Sequence, residues 1–333
     1  MDKNILKKIS VIMSTFLLVS LIFICGCGTK KETEKVEVHI GYQSVTAQTW
    51  GALIIKNQGL FEKKLEELYP NAEVVVVWHD DISGAVINNN MIAGKYQIGY
   101  MGDMPCLING YNSFTKDNYN SKCIAIDGRG KNGANQDVVV PLDSECNSIR
   151  DLEGKTISTP IGSSAHRMLL KVLKDNNMID KVEIVHQDIN VANTLLLNNE
   201  VDAFSVWAPY GEYLVANKYA KKIVDGVESE EDYLTGIIID EDWGNENTQI
   251  LEAFKECIKE SHEYICSDPE AAAKIFEEES GFPYEVCKKM AEGIEWDDCI
   301  YERDIETFKN GLKFLNDLDI IKEYDCSSFF ASK

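Results

Sequence analysis

Histidine is scarce in this chain, and the five present, His39, His79, His166, His186 and His262, are scattered along it. Neither a Gly-x-Ser-x-Gly elbow nor a His-Glu-x-x-His pair occurs, so the sequence lacks the common signatures of a serine hydrolase and a helical zinc peptidase. Positive charge is also short: 33 Lys and Arg stand against 55 Asp and Glu, for a net charge of -22. That balance excludes the basic face a nucleic-acid binder needs. Eight of the ten cysteines, Cys106, Cys123, Cys146, Cys257, Cys266, Cys287, Cys299 and Cys326, fall beyond residue 100 with no CxxC and no Cys/His zinc spacing, which excludes a zinc ribbon or finger. No metal site and no cofactor is expected. There is no low-complexity tract, no fixed-period repeat and no apolar run of the roughly 20 residues that a membrane-spanning helix requires.

The longest apolar run, residues 9–24, is interrupted by Ser10, Ser14 and Ser20. It follows Lys3, Lys7 and Lys8 and ends in Cys25-Gly26-Cys27-Gly28, the three-part layout of an export signal. Its end resembles a bacterial lipobox, in which a cysteine after small residues is diacylated and becomes the mature N-terminus. Cys27 is the expected site, because Ile24 before Cys25 is bulkier than that position takes; the alternative is an ordinary signal peptide with two incidental cysteines. An acylated Cys27 would hold the protein on the outer face of the cell membrane without a spanning segment. Residues 28–35 are short, polar and charged, as a flexible tether is. Removing residues 1–26 takes away Asp2 and three lysines and makes the chain more negative by two. The eight remaining cysteines fit either disulfides or buried thiols in an exported chain of this size.

From Val36 onward, short β-rich runs alternate with amphipathic stretches, the pattern of an α/β fold. The strands expected are 36–42, 73–78, 97–101, 123–126 and 137–141, then 156–158, 182–185, 201–206 and 222–224. Several are apolar throughout, as parallel strands covered on both faces are. From Thr248 the pattern is helical only, with Ile250, Leu251, Phe254, Ile258 and Tyr264 near helical spacing. The expected organisation is a signal peptide over 1–26, a tether over 27–35, and a first lobe over 36–128. A second lobe over 129–230 follows, and 231–333 return to the first lobe with a return strand and supply the C-terminal helices. The chain crosses between lobes near residues 128–136 and 225–236.

Several segments resemble the solute-binding proteins for aliphatic sulfonates, taurine, nitrate and thiamine precursors, most closely the alkyl-sulfonate branch. They are Ile40-Gly41-Tyr42-Gln43, Gly59-Leu60-Phe61-Glu62-Lys63, Ala93-Gly94-Lys95-Tyr96-Gln97-Ile98-Gly99 and Gly102-Asp103-Met104-Pro105, then Asp151-Leu152-Glu153-Gly154-Lys155, Gly162-Ser163-Ser164-Ala165-His166 and the run from Val201 through Trp207-Ala208-Pro209-Tyr210. Their order carries more weight than any one of them. The resemblance implies a two-lobed, periplasmic-binding-protein-like fold of type II with two crossover strands as a hinge. It also implies a monomer without catalytic duty, which hands a small anion to an ABC permease and its ATPase.

In open parallel sheets, ligands lie beyond the carboxyl ends of strands, which selects Tyr42, Gln43 and Ser44 after the first strand and Gly102 and Asp103 after the third. Gly162, Ser163 and Ser164 precede a helix beginning near Ala165, so free N–H groups and a helix dipole suit an oxyanion there; a plain N-cap explains the same serines. His166 sits in that first turn, either as a donor or facing solvent. Trp207 and Tyr210 offer an apolar wall, or core aromatics under the hinge. Ala208 stands where sulfonate-binding relatives often carry Asp. The crossover from Asp127 to Gln136 is rich in Gly and Asn, so Arg129 either presents a forked donor set to an anion or lies in a solvated loop. His79, Asp80 and Asp81 read as a polar loop before a helix capped by Ser83 rather than as metal ligands. The rival function is a pyridoxal-phosphate-dependent enzyme like the thiamine-pyrimidine synthases related to these proteins; an export signal argues against it.

Overall fold

The computed structural model describes residues 35–331. Two five-stranded sheets organise them. In the first, β1 (Lys35–Tyr42) lies between β2 (Glu73–Asp80) and β3 (Ile98–Gly102), all parallel; β10 (Tyr233–Asp240) then runs antiparallel between β3 and β4 (Ser121–Gly130). The second sheet has the order β7-β6-β8-β5-β9 and comprises β5 (Gln136–Pro141), β6 (Thr156–Thr159), β7 (Glu183–His186), β8 (Ala203–Trp207) and β9 (Ala220–Asp225). No disulfide joins any of the eight cysteines among the described residues; Cys266 and Cys299 are exposed thiols and the other six are buried.

Helices cover the sheets because their apolar stripes match. Between β1 and β2, α1 (Gly51–Gln58) and α2 (Leu60–Leu68) are separated by Gly59, whose φ of 58° a residue with a Cβ adopts only at a cost. The strands of the first sheet lead into α3 (Gly84–Ile92) and α4 (Asp103–Thr115), and those of the second into α5 (Ser164–Asp175), α6 (Ile189–Leu197) and α7 (Tyr210–Ala216). Met168, Leu169, Val172 and Leu173 of α5 bury against Val138, Val140 and Ile157. After α8 (Glu241–Glu246), four helices close the chain: α9 (Thr248–Ser267), α10 (Pro269–Ser280), α11 (Tyr284–Gly293) and α12 (Glu302–Asp317). Phe254 of α9 meets Phe61 of α2 with ring centroids 4.9 Å apart. The C-terminal part also touches the second lobe, since Phe282 packs edge-on to Tyr210 at 5.1 Å.

The chain passes between sheets twice, through residues 131–135 and 226–232. The Gly/Asn richness of the first crossover has a backbone cause: Asn132, Gly133 and Asn135 hold φ of 54°, 94° and 72°. The two crossovers also touch there. A Cβ on Gly133 would stand 2.3 Å from the Gly226 carbonyl oxygen, and one on Gly226 would stand 2.0 Å from the Gly133 oxygen. The return strand expected in the first lobe is β10. The expected second crossover, 225–236, overlaps its first half; Tyr233–Asp240 forms the strand that ties β3 to β4.

Candidate functional site

Where the sheets face each other, a small cavity is lined by Gln43, Thr46, Gly84, Gly102, Pro105, Ser163, Ser164, Trp207 and Tyr233. The lobes are shut around it. Trp207 on the second lobe donates from Nε1 to the Val45 carbonyl on the first at 3.0 Å, and Ala47 N–H donates to the Ala208 carbonyl at 2.9 Å. Gly102 allows the closest approach: a Cβ there would lie 2.3 Å from Ser164 Oγ. The closed lobes leave about 20 Å³ of room there, enough for about one water molecule, so a ligand is admitted only when the lobes part.

Three helices begin at this cavity: α3 at Gly84, α4 at Asp103 after Gly102, and α5 at Ser164 after Ser163. The first N–H groups of a helix have no partner inside it, and the dipole is positive at that end. No lysine or arginine is among the lining residues. An anion in this space would therefore be held by N–H groups, hydroxyls and three helix termini rather than by a countercharge, which reconciles an anion site with a chain of net charge -22.

The residues selected from the sequence divide into two groups. Gln43, Gly102, Ser163, Ser164 and Trp207 all line the cavity. Ser163 is also the N-cap of α5, its Oγ accepting from His166 N–H at 3.3 Å, so both roles proposed for it coexist. Gln43 is held in place by donating to the Tyr100 carbonyl at 3.2 Å and accepting from Thr46 Oγ1 at 3.2 Å.

The others are engaged elsewhere. Tyr42 is buried against Trp78, and Ser44 donates its N–H to Asp80 at 2.8 Å. Gly162 has φ 87° and donates its N–H to His166 Nδ1 at 3.3 Å. That imidazole is buried, and desolvation, with His186 nearby, lowers its pKa to about 4, so at neutral pH it is an uncharged support for the 162–166 loop. Tyr210 donates to Asn190 Oδ1 at 2.5 Å.

Arg129 does not present a fork to the cleft. It lies in β4, is 2% exposed, and donates to Asp304 from Nε at 3.0 Å and Nη2 at 2.9 Å, and to the carbonyls of Asp297 and Cys299. Its guanidinium anchors the segment before α12. Asp103 likewise serves a partner: its carboxylate accepts from Arg167 Nε at 3.1 Å and again from Nη2. Arg167, on α5, also pairs with Glu231 of the second crossover. The sequence reading missed Arg167, although it follows His166 directly in the first turn after the Gly-Ser-Ser loop. Ser83 stands at the N-cap of α3 without a side-chain cap bond, and His79 stacks between His39 and Tyr96.

The described residues contain no helix long and apolar enough to cross a membrane. Cys27 and the export signal lie outside the described residues.

Comparison with known proteins gives consistent relatives. The NMT1/THI5-like family model matches residues 132–272. A Bacillus subtilis protein provisionally named as aliphatic sulfonates-binding is 24% identical over 260 residues, covering 75% of this chain and 74% of that protein. An Escherichia coli protein given the same name is 20% identical over 212 residues, 63% of this chain and 61% of the relative. The solved structure of the Xanthomonas axonopodis pv. citri alkanesulfonate-binding protein bound to MOPS superimposes with a TM-score of 0.75 at 17% identity, covering 90% of this chain and 99% of that one. The fold of this chain is thus the two-lobed α/β fold of that binding protein, as the sequence resemblance implied.

Proposed function

We propose that this protein is the extracytoplasmic solute-binding component of an ABC importer, capturing a small organic anion, an aliphatic sulfonate, between its lobes for delivery to a permease and its ATPase. The observation that carries the reading is the convergence of three helix N-termini on one small interlobe cavity without a lysine or arginine in its lining. The names of the relatives point to the sulfonate. In this reading residues through Gly130 and from Tyr233 onward form one lobe and 136–225 the other, the crossovers are the hinge, and Cys27 carries the lipid that keeps the monomer at the membrane. No lysine lines the cavity to hold pyridoxal phosphate, which counts against the enzyme reading.

A thermal-shift screen against alkyl sulfonates, taurine, nitrate, aromatic carboxylates and thiamine precursors tests this. A ligand at about 100 times its Kd adds roughly 2.7 kcal/mol of stability. A sulfonate shift that disappears when Ser163 and Ser164 become Ala is the expected result. A shift from a neutral heterocycle alone would overturn the anion reading.

A further inference from the structure

Several buried side-chain atoms among the described residues lack a partner that the protein supplies, but only one buried amide lacks a partner at both ends. Gln136, the first residue of β5, is fully buried, yet neither its Nε2 nor its Oε1 has a hydrogen-bond partner. Leaving both ends of a buried amide unpaired is destabilising, and native folds seldom do it without a reason.

Strand geometry shows where this amide lies. In the antiparallel β5–β8 pair, Val138 opposes Ser205 and Gln136 opposes Trp207, so these four side chains share one face of the sheet. That face is covered by α5, whose first turn is reached when Ser205 Oγ donates to the Ala165 carbonyl at 3.0 Å. Gln136 and Trp207 are one step further along the same face, past the start of the helix, and Trp207 lines the cavity beside Ser163 and Ser164. From the other lobe, Gln48 donates from Nε2 to the carbonyl of Tyr233, another lining residue, at 3.4 Å, while its own Oε1 is buried and unpaired. Gln43, which does line the cavity, has both ends of its amide occupied.

We infer that Gln136, assisted by Gln48, is a specificity-determining residue that reads a hydroxyl group next to the anionic end of the ligand. A hydroxyl both donates and accepts, and the unpaired atoms offer one donor group and two acceptors. The natural ligand is then a short hydroxylated anion, such as a 2-hydroxyalkanesulfonate, rather than a plain alkyl one. A site with buried hydrogen-bonding groups discriminates strongly against an analogue that leaves them unpaired. This inference rests on the anion-binding reading above.

The test is calorimetric titration of the wild-type protein with ethanesulfonate and 2-hydroxyethanesulfonate, and in parallel with propionate and lactate. The hydroxylated member of a bound pair should bind at least tenfold more tightly. Gln136→Met, which keeps the length of the side chain and removes its polar atoms, should reduce the preference to threefold or less by weakening the hydroxylated ligand. If that variant fails to fold, Gln48→Met should reduce the preference in the same direction. Equal affinities in the wild type, or a preference that survives in folded variants, would overturn the inference while leaving an anion-binding protein intact. Binding by none of the four anions would refute the anion reading and this inference with it.

Discussion

Asp103 and Arg167 belong to different lobes, and their ion pair exists only where the lobes meet. Asp103 starts α4 on the first lobe, Arg167 is on α5 of the second, and both are at most 3% exposed. In an open form each would be hydrated, so the pair bears on closure rather than on folding of either lobe. Asp103→Asn removes the charge and weakens two charge-assisted hydrogen bonds, while Glu231 continues to neutralise Arg167. Hydrogen bonds to charged groups contribute about 1.5–3 kcal/mol, and the surviving Glu231 pair keeps the loss toward the lower end, about 2 kcal/mol. At 1.4 kcal/mol per tenfold, that is roughly a 30-fold shift in the closing equilibrium. Where the free protein is mainly open, the same factor appears in ligand Kd. The assay is calorimetric titration with the ligand from the thermal-shift screen, alongside the unfolding temperature of the ligand-free variant. A folded Asp103→Asn protein with a Kd within threefold of wild type would refute the reasoning.

Other outcomes follow from the same contacts. Gly102→Ala places a Cβ against Ser164 Oγ and should weaken ligand binding at least tenfold while leaving ligand-free stability within about 1 kcal/mol; unchanged affinity would show that the lobes do not meet there. Arg129→Met strips a buried partner from Asp304 and should cost about 3–5 kcal/mol in urea unfolding, with ligand affinity within twofold. A tenfold affinity loss in a stable Arg129→Met variant would instead restore Arg129 to the binding site. Burial holds His166 near a pKa of about 4, below the roughly 6.5 of an unfolded chain. Its contribution to stability is therefore present above about pH 6.5 and lost as pH falls from there toward 4. His166→Gln should lose less stability than wild type between pH 7 and pH 5, measured by urea unfolding at each.

Much of the fold was legible because local pattern and burial agree. β1 alternates buried and exposed residues before becoming fully buried at Ile40, and the period-2 signal marks it as a strand. The Gly-Ser-Ser loop before a helix was legible for the same reason, since cap chemistry is local. A return strand was legible but not its bounds or partners, because Tyr233–Asp240 overlaps the expected crossover and pairs with strands more than 100 residues earlier.

The site shows the same division. That Gly102, Ser163, Ser164 and Trp207 stand at strand ends and helix starts follows from the sequence alone, and so does the anionic balance of the whole chain. What the sequence leaves open is where a long side chain reaches. Arg129 and Asp103 both suited an anion site on paper, but Asp304 and Arg167 occupy them, and those partners lie 175 and 64 residues away. Gln136 became informative only once the fold showed both ends of its buried amide without a partner. Periodicity and capping act over a few residues and are written in order along the chain, whereas the pairing of buried charges and amides is settled by which distant segments the closed fold brings within about 3 Å.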